Sequence, residues 1–142
     1  MQELAEILST LKRARVILGR SYIPFLQFDG NGGHCALGAI SEVKYGRDTR
    51  MSEFEDEALA LSETAKALHP EFIGTYIRYS GSIFSFNIAP IVFINNYLGK
   101  EATLRVFDVT IAELELRLTA ASEPVASEAR ETLDLSRELA HA

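Results

Sequence analysis

Between residues 101 and 118 the apolar side chains step by three and four without a break: Leu104, Phe107, Ile111, Leu114, Leu118. Only an α-helix gathers such a spacing onto one face, so this stretch predicts a long amphipathic helix that needs a partner surface. A second stripe, Leu4, Ile7, Leu8, Leu11, Ala14 and Leu18, predicts a helix over residues 3–19 that ends at Gly19. Val16 and Ile17 widen that stripe, which predicts a well-buried end.

The third helix announces itself by its start. Ser52-Glu53-Phe54-Glu55 is a capping box, and the acids of its first turn suit the positive end of a helix dipole. Phe54, Ala58, Leu61, Ala65 and Leu68 carry its stripe, and Pro70 ends it near Leu68. A shorter helix is expected after Cys35, rich in small residues that let backbones approach, and closed by Gly46.

Other stretches are less regular. In residues 22–28, Pro24 forbids both a helix interior and a central strand, so this aromatic-rich segment reads as extended and pushing its rings into the core. Residues 29–33 form a glycine loop. Residues 71–86 fit either a helix or a strand hairpin turning at Ser80-Gly81-Ser82. Residues 90–97 are apolar and end in Asn95-Asn96, with Gly99 breaking the run. A last helix from Pro124 to about Ala140 has a thin stripe of Val125, Ala129, Leu133 and Leu139.

The fold class that follows is mainly α: a single domain of about five helices, with at most a small two- or three-stranded sheet from residues 22–28 and 72–86. Its core is expected around Leu8, Leu11, Leu37, Ile40, Leu61, Leu104, Phe107, Ile111 and Leu114. Residues 1–122 form the core domain, and 123–142 a C-terminal helix able to pair with another chain or its own copy. At 142 residues, with 47% hydrophobic and 24% charged side chains, the chain is long enough to bury such a core. No apolar run reaches the roughly 18 residues of a membrane span, and no export signal is legible, so a cytoplasmic location is expected.

Composition narrows the function classes. One cysteine and three histidines predict neither a disulfide nor a metal site, and no cofactor is expected. A net charge of -6 disfavours nucleic acid, although Lys12, Arg13, Arg15 and Arg20 cluster. Glu53, Glu55, Asp56, Glu57 and Glu63 form an acidic counterpart that either faces solvent or docks a basic partner.

Cys35 is the residue to weigh for catalysis. At a helix start its thiolate would be favoured, with His69 as the base and Asn95 or Asn96 as the orienting group. Its neighbour His34 points elsewhere. The structural alternative is a small buried hydrophobe. The loop Asp29-Gly30-Asn31-Gly32-Gly33 lacks the Lys and Ser/Thr of a phosphate loop, and a sharp turn needs the same residues. Asn95, Asn96 and Asp108 beside apolar neighbours suit structural hydrogen bonds.

The segment His34-Cys35-Ala36-Leu37-Gly38-Ala39-Ile40 resembles the Cys-Ala-Leu-Gly-Ala box of a small bacterial family common in actinobacteria and their phages. In that family a helix precedes the box, and a later apolar segment ends in Phe/Trp-Asn-Asp before a final helix. Phe93-Ile94-Asn95-Asn96, followed by residues 101–115, is similar in order and spacing. Asn96 stands where the family has an acid, with an insertion before the asparagine pair, so a function of that acid does not carry over. The resemblance covers residues 4–115 and implies a bacterial or phage origin and a small helical fold, with no activity attached.

Together these observations predict a non-catalytic protein-binding module, an inhibitor or adaptor encoded by a phage or other mobile element, acting on a host protein with a basic surface. The alternatives are a cysteine-dependent hydrolase or acyltransferase using Cys35, and a nucleic-acid binder using the basic cluster.

Overall fold

A computed structural model describes residues 3–25, 32–46, 56–79 and 87–121. The first stripe folds as helix α1, Leu4–Ser21, burying Leu8, Leu11, Ala14 and Leu18. It runs two residues past Gly19, because Ser21 Oγ donates back to Ile17 O at 2.7 Å and holds the last turn. Val16, expected inside, is 51% exposed: it lies off the stripe that the 3.6-residue period turns inward.

The long helix, α6, spans Gly99–Ala121 and lies antiparallel on α1. Lys12 meets Glu115 at 3.1 Å and Arg15 meets Asp108 at 2.9 Å, so rising numbers on one helix meet falling numbers on the other. Its buried face is Thr103, Val106, Phe107, Thr110 and Leu114. Leu104 and Ile111, expected in the core, are only half-buried. Threonines replace them, since each hydroxyl donates to the carbonyl four residues back: Thr103 to Gly99 at 2.8 Å, Thr110 to Val106 at 2.7 Å. A hydroxyl satisfied within its own helix buries at little cost.

Helix α2, Ala36–Tyr45, packs on α1, buries its small residues Ala36, Gly38 and Ala39, and ends where Gly46 adopts φ 94° and donates to Glu42 O. Helix α3, Asp56–Leu68, buries Ala58, Leu61 and Ala65 and packs on α6 and on the helix over residues 89–93. The expected capping box at 52–55 lies outside the described residues. So does the expected C-terminal helix.

Residues 70–79 are helical: a 3-10 turn, Pro70–Phe72, leads directly into α4, Ile73–Tyr79. This removes the first strand of the hairpin that the sequence left open. Pro70 favours the helical alternative, because its fixed φ suits a first turn. Among the described residues the one β contact is an isolated bridge between Tyr22 and His34. Helix α5, Ala89–Phe93, passes straight into a π-helical turn, Ile94–Leu98, and Gly99 at φ 92° swings the chain into α6. Ile88, Ile91 and Ile94 from this run are buried. Ser62 Oγ accepts from Ile91 N at 3.2 Å and so ties α5 to α3.

The mainly α architecture expected from the sequence is thus the one formed, as six α-helical segments among the described residues, two of them short. No helix among those residues is long and apolar enough to cross a membrane.

Tyr76 is fully buried, and its hydroxyl donates to His69 O at 2.9 Å. Burial, with a smaller contribution from the charge of Glu71, pushes that phenol up to about 12 from 10.0. The unfolded chain therefore releases this proton first, so stability falls as pH rises from 10 through 12. A spectrophotometric tyrosine titration should lose its latest-ionising ring in Tyr76→Phe.

Candidate functional site

The segment His34–Ile40 and the asparagine pair at 95–96 touch. Asn95 lies in the π-turn, 2% exposed. Its Oδ1 accepts from Ala36 N, the first residue of α2, at 3.0 Å. Its Nδ2 donates to Ile23 O at 3.3 Å and to Asn96 Oδ1 at 3.1 Å, while Tyr22 donates its hydroxyl to Asn95 O. One buried amide thus joins α2, the segment after α1 and the π-turn.

Asn96 extends the network outward. Its Oδ1 accepts from Phe25 N at 2.7 Å, and its Nδ2 donates to Tyr79 Oη at 3.0 Å. Burial raises the Tyr79 phenol, against a lowering by its bond to Asn96.

Cys35 is the N-cap of α2, with Sγ accepting from Gly38 N at 3.4 Å. Burial pushes the thiol up, outweighing the backbone N–H groups of Gly38, Leu37 and Cys35 that favour thiolate. The helix start therefore does not activate it. Asn95 reaches the residue beside Cys35, but His69 makes no hydrogen bond to Cys35 among the described residues. His69 lies beside Phe72, with Nδ1 3.8 Å from Glu71. The cysteine constellation is not assembled. In the folded protein a thiol reagent should modify Cys35 far more slowly than in denaturant, as a stopped-flow assay with a chromogenic disulfide would read.

The sequence reading set His34 aside, yet it is 4% exposed and centrally placed. Its Nδ1 lies 2.8 Å from Ser21 Oγ and its Nε2 lies 2.9 Å from Glu42 Oε2. Serine, histidine and carboxylate in a row have the parts of a nucleophilic relay, but the placement opposes one. Ser21 commits its hydroxyl proton to Ile17 O, and it sits in the last turn of α1, where the negative end of the helix dipole would repel an oxyanion. The row instead locks the Tyr22–His34 bridge between α1 and α2.

The described members of the expected acidic surface differ in exposure. Glu57 is fully buried, and its Oε1 takes Lys44 Nζ at 2.9 Å; it belongs to the α2–α3 contact and not to a docking face. Charge patterning along the sequence could not show this, because the cation comes from another helix. Glu63 is exposed and bonded to Lys66 at 2.8 Å, Asp56 is half-buried, and Glu53 and Glu55 lie outside the described residues. In the basic cluster, Lys12 and Arg15 are engaged by acids of α6, and the Asp108 hydrogen bond raises the Arg15 guanidinium further. A shallow groove of about 410 Å³ is lined by Ala5, Glu6, Ser9, Thr10 and Lys44, whose ammonium Glu57 already holds. No group of three His, Cys, Asp or Glu among the described residues is placed to hold a metal.

What the sequence reading missed is an exposed aromatic face. Phe25, expected to point inward, is 58% exposed, and Tyr97 is 57% exposed. Their rings meet edge to face at 5.4 Å. Tyr97 packs in turn on Tyr79 at 6.0 Å and Phe93 at 5.2 Å, and Phe93 on Phe72 and the buried Tyr76. Ile73 and Ile77, one helical turn apart on α4, are also exposed. Phe25 points outward because its backbone sits at φ 71°, a left-handed conformation that costs a non-glycine about 1–2 kcal/mol. The signals were Pro24, which stops regular structure just before it, and the asparagine pair that receives its N–H.

No family model, curated protein or solved structure matches the chain.

Proposed function

We propose that the chain is a non-catalytic protein-binding module that docks through the aromatic face of Phe25 and Tyr97. The carrying observation is that two large aromatic rings stand more than half exposed on an anchored support. Surface aromatics fixed by packing and hydrogen bonds bind with little loss of side-chain freedom, and such residues dominate the energetics of interfaces. Tyr97 is braced by Tyr79 and Phe93, and Phe25 by Asn96. An inhibitor or adaptor role fits a module that works by occupying a partner surface.

This reading moves the interface away from the acidic residues, since Glu57 is unavailable and Glu63 already has a cation. Affinity capture from a bacterial lysate separates the two. A partner kept by Glu63→Lys and lost by the double substitution Phe25→Ser with Tyr97→Ser is the expected result. A partner list that is unchanged by the double substitution removes the aromatic face from consideration.

A further inference from the structure

Among the described residues Phe25 is the one non-glycine with positive φ. Its N–H makes a single hydrogen bond, to Asn96 Oδ1 at 2.7 Å, in an exposed setting. That acceptor is itself positioned, receiving Asn95 Nδ2 at 3.1 Å, while Asn96 Nδ2 is tied to Tyr79 Oη. Backbone strain, one exposed hydrogen bond and one edge-to-face ring contact are energies of the same order.

We infer that Phe25 is a strap with a seated and a released state, and that Asn96 sets the balance between them. Seated, the backbone is left-handed, the N–H is on Asn96 and the ring lies on Tyr97. Released, φ relaxes to the ordinary range, the hydrogen bond opens and Tyr97 loses its neighbour. The inference rests on the aromatic face as the docking surface, whose occupancy it regulates. A partner packing on both rings selects the seated state, and its apparent affinity scales with the seated fraction. The buried amide of Asn95 is the fixed end of the device, and the half-buried amide of Asn96 the adjustable one.

The test needs no partner, so its outcome is independent of the capture experiment. Amide hydrogen exchange of Phe25 is measured by NMR in the free full-length chain. Wild type should exchange more slowly than an unstructured peptide, Asn96→Ala about ten-fold faster than wild type, and Asn96→Asp, which keeps the acceptor, close to wild type. Phe25→Gly compared with Phe25→Ala reads the strain, because both lack the ring that meets Tyr97. Glycine adopts the left-handed conformation freely and alanine does not, so the amide at position 25 should exchange about ten-fold more slowly in the glycine variant than in the alanine variant, after correction for intrinsic rates. Equal protection in wild type and Asn96→Ala would show that Asn96 does not hold the strap. Equal protection in Phe25→Gly and Phe25→Ala would show that no strain opposes the seated state. Either result overturns the inference, and the glycine and alanine variants decide it if Asn96→Ala does not fold.

Discussion

Lys44→Met lowers folding stability by about 3–5 kcal/mol, the cost of leaving a buried charge without its partner. Glu57 is fully buried and takes Lys44 Nζ at 2.9 Å, with the lysine side chain itself only 11% exposed. Methionine fills the volume of the lysine stem but offers no cation. The carboxylate then lies in a low dielectric without the lysine's charge. The double substitution Lys44→Met with Glu57→Leu should recover most of the loss, because it removes both charges at once. Urea denaturation of the four proteins in this cycle measures the coupling. A single-variant loss under about 1 kcal/mol would mean that the pair is hydrated and Glu57 belongs to the surface after all.

Asn95→Ala is the second large effect, expected at about 2–4 kcal/mol from the loss of several buried hydrogen bonds. The Ala36 N–H loses its acceptor and Ile23 O loses its donor. Asn95→Asp should retain the Ala36 bond but set a buried carboxylate oxygen against Ile23 O and Asn96 Oδ1, with no cation beside it among the described residues, and should cost at least as much as alanine. Asn96, at the rim of the same network, should cost less when truncated, because water can replace its partners. Chemical denaturation ranks the three variants, and a larger loss for Asn96→Ala than for Asn95→Ala would reverse the account of which amide anchors the fold.

The helices were legible because periodicity is local and redundant: α1 needs no knowledge of its neighbours for Leu8, Leu11, Ala14 and Leu18 to line up. The face of α6 was legible only in part. Phe107 and Leu114 are buried as expected, but Thr103 and Thr110 displace Leu104 and Ile111, since a polarity scale does not register a hydroxyl satisfied by its own helix. The path of residues 73–79 was ambiguous because short apolar runs fit strand and helix alike. Glu57 was misplaced for a different reason. Its surroundings along the chain are acidic and helical, and the fact that buries it, Lys44, lies thirteen positions away on another element. Asn95 was recognisable as a polar residue among apolar ones, yet nothing in the sequence shows that it spans 59 residues to meet Ala36. The aromatic face went unseen because hydrophobicity alone assigns Phe25 to the interior, and only the backbone angle at that position turns it out.

The π-turn at Ile94–Leu98 changes how this stretch tolerates alteration. A π-turn closes its hydrogen bonds one residue later than an α-turn and therefore acts as a one-residue insertion within a helix. Three consecutive residues exploit the extra length: Asn95 faces the interior, Asn96 the rim and Tyr97 the solvent. Chain length here is consequently a tighter constraint than residue identity. A conservative exchange at Ile94 or Leu98 alters one contact, whereas deleting a single residue between 94 and 98 would let the turn revert to an α-helix and rotate everything upstream against α6. The asparagine amides and the Tyr97 ring would then present themselves to the wrong neighbours together, so insertions and deletions in these five positions are the changes this fold should accept least.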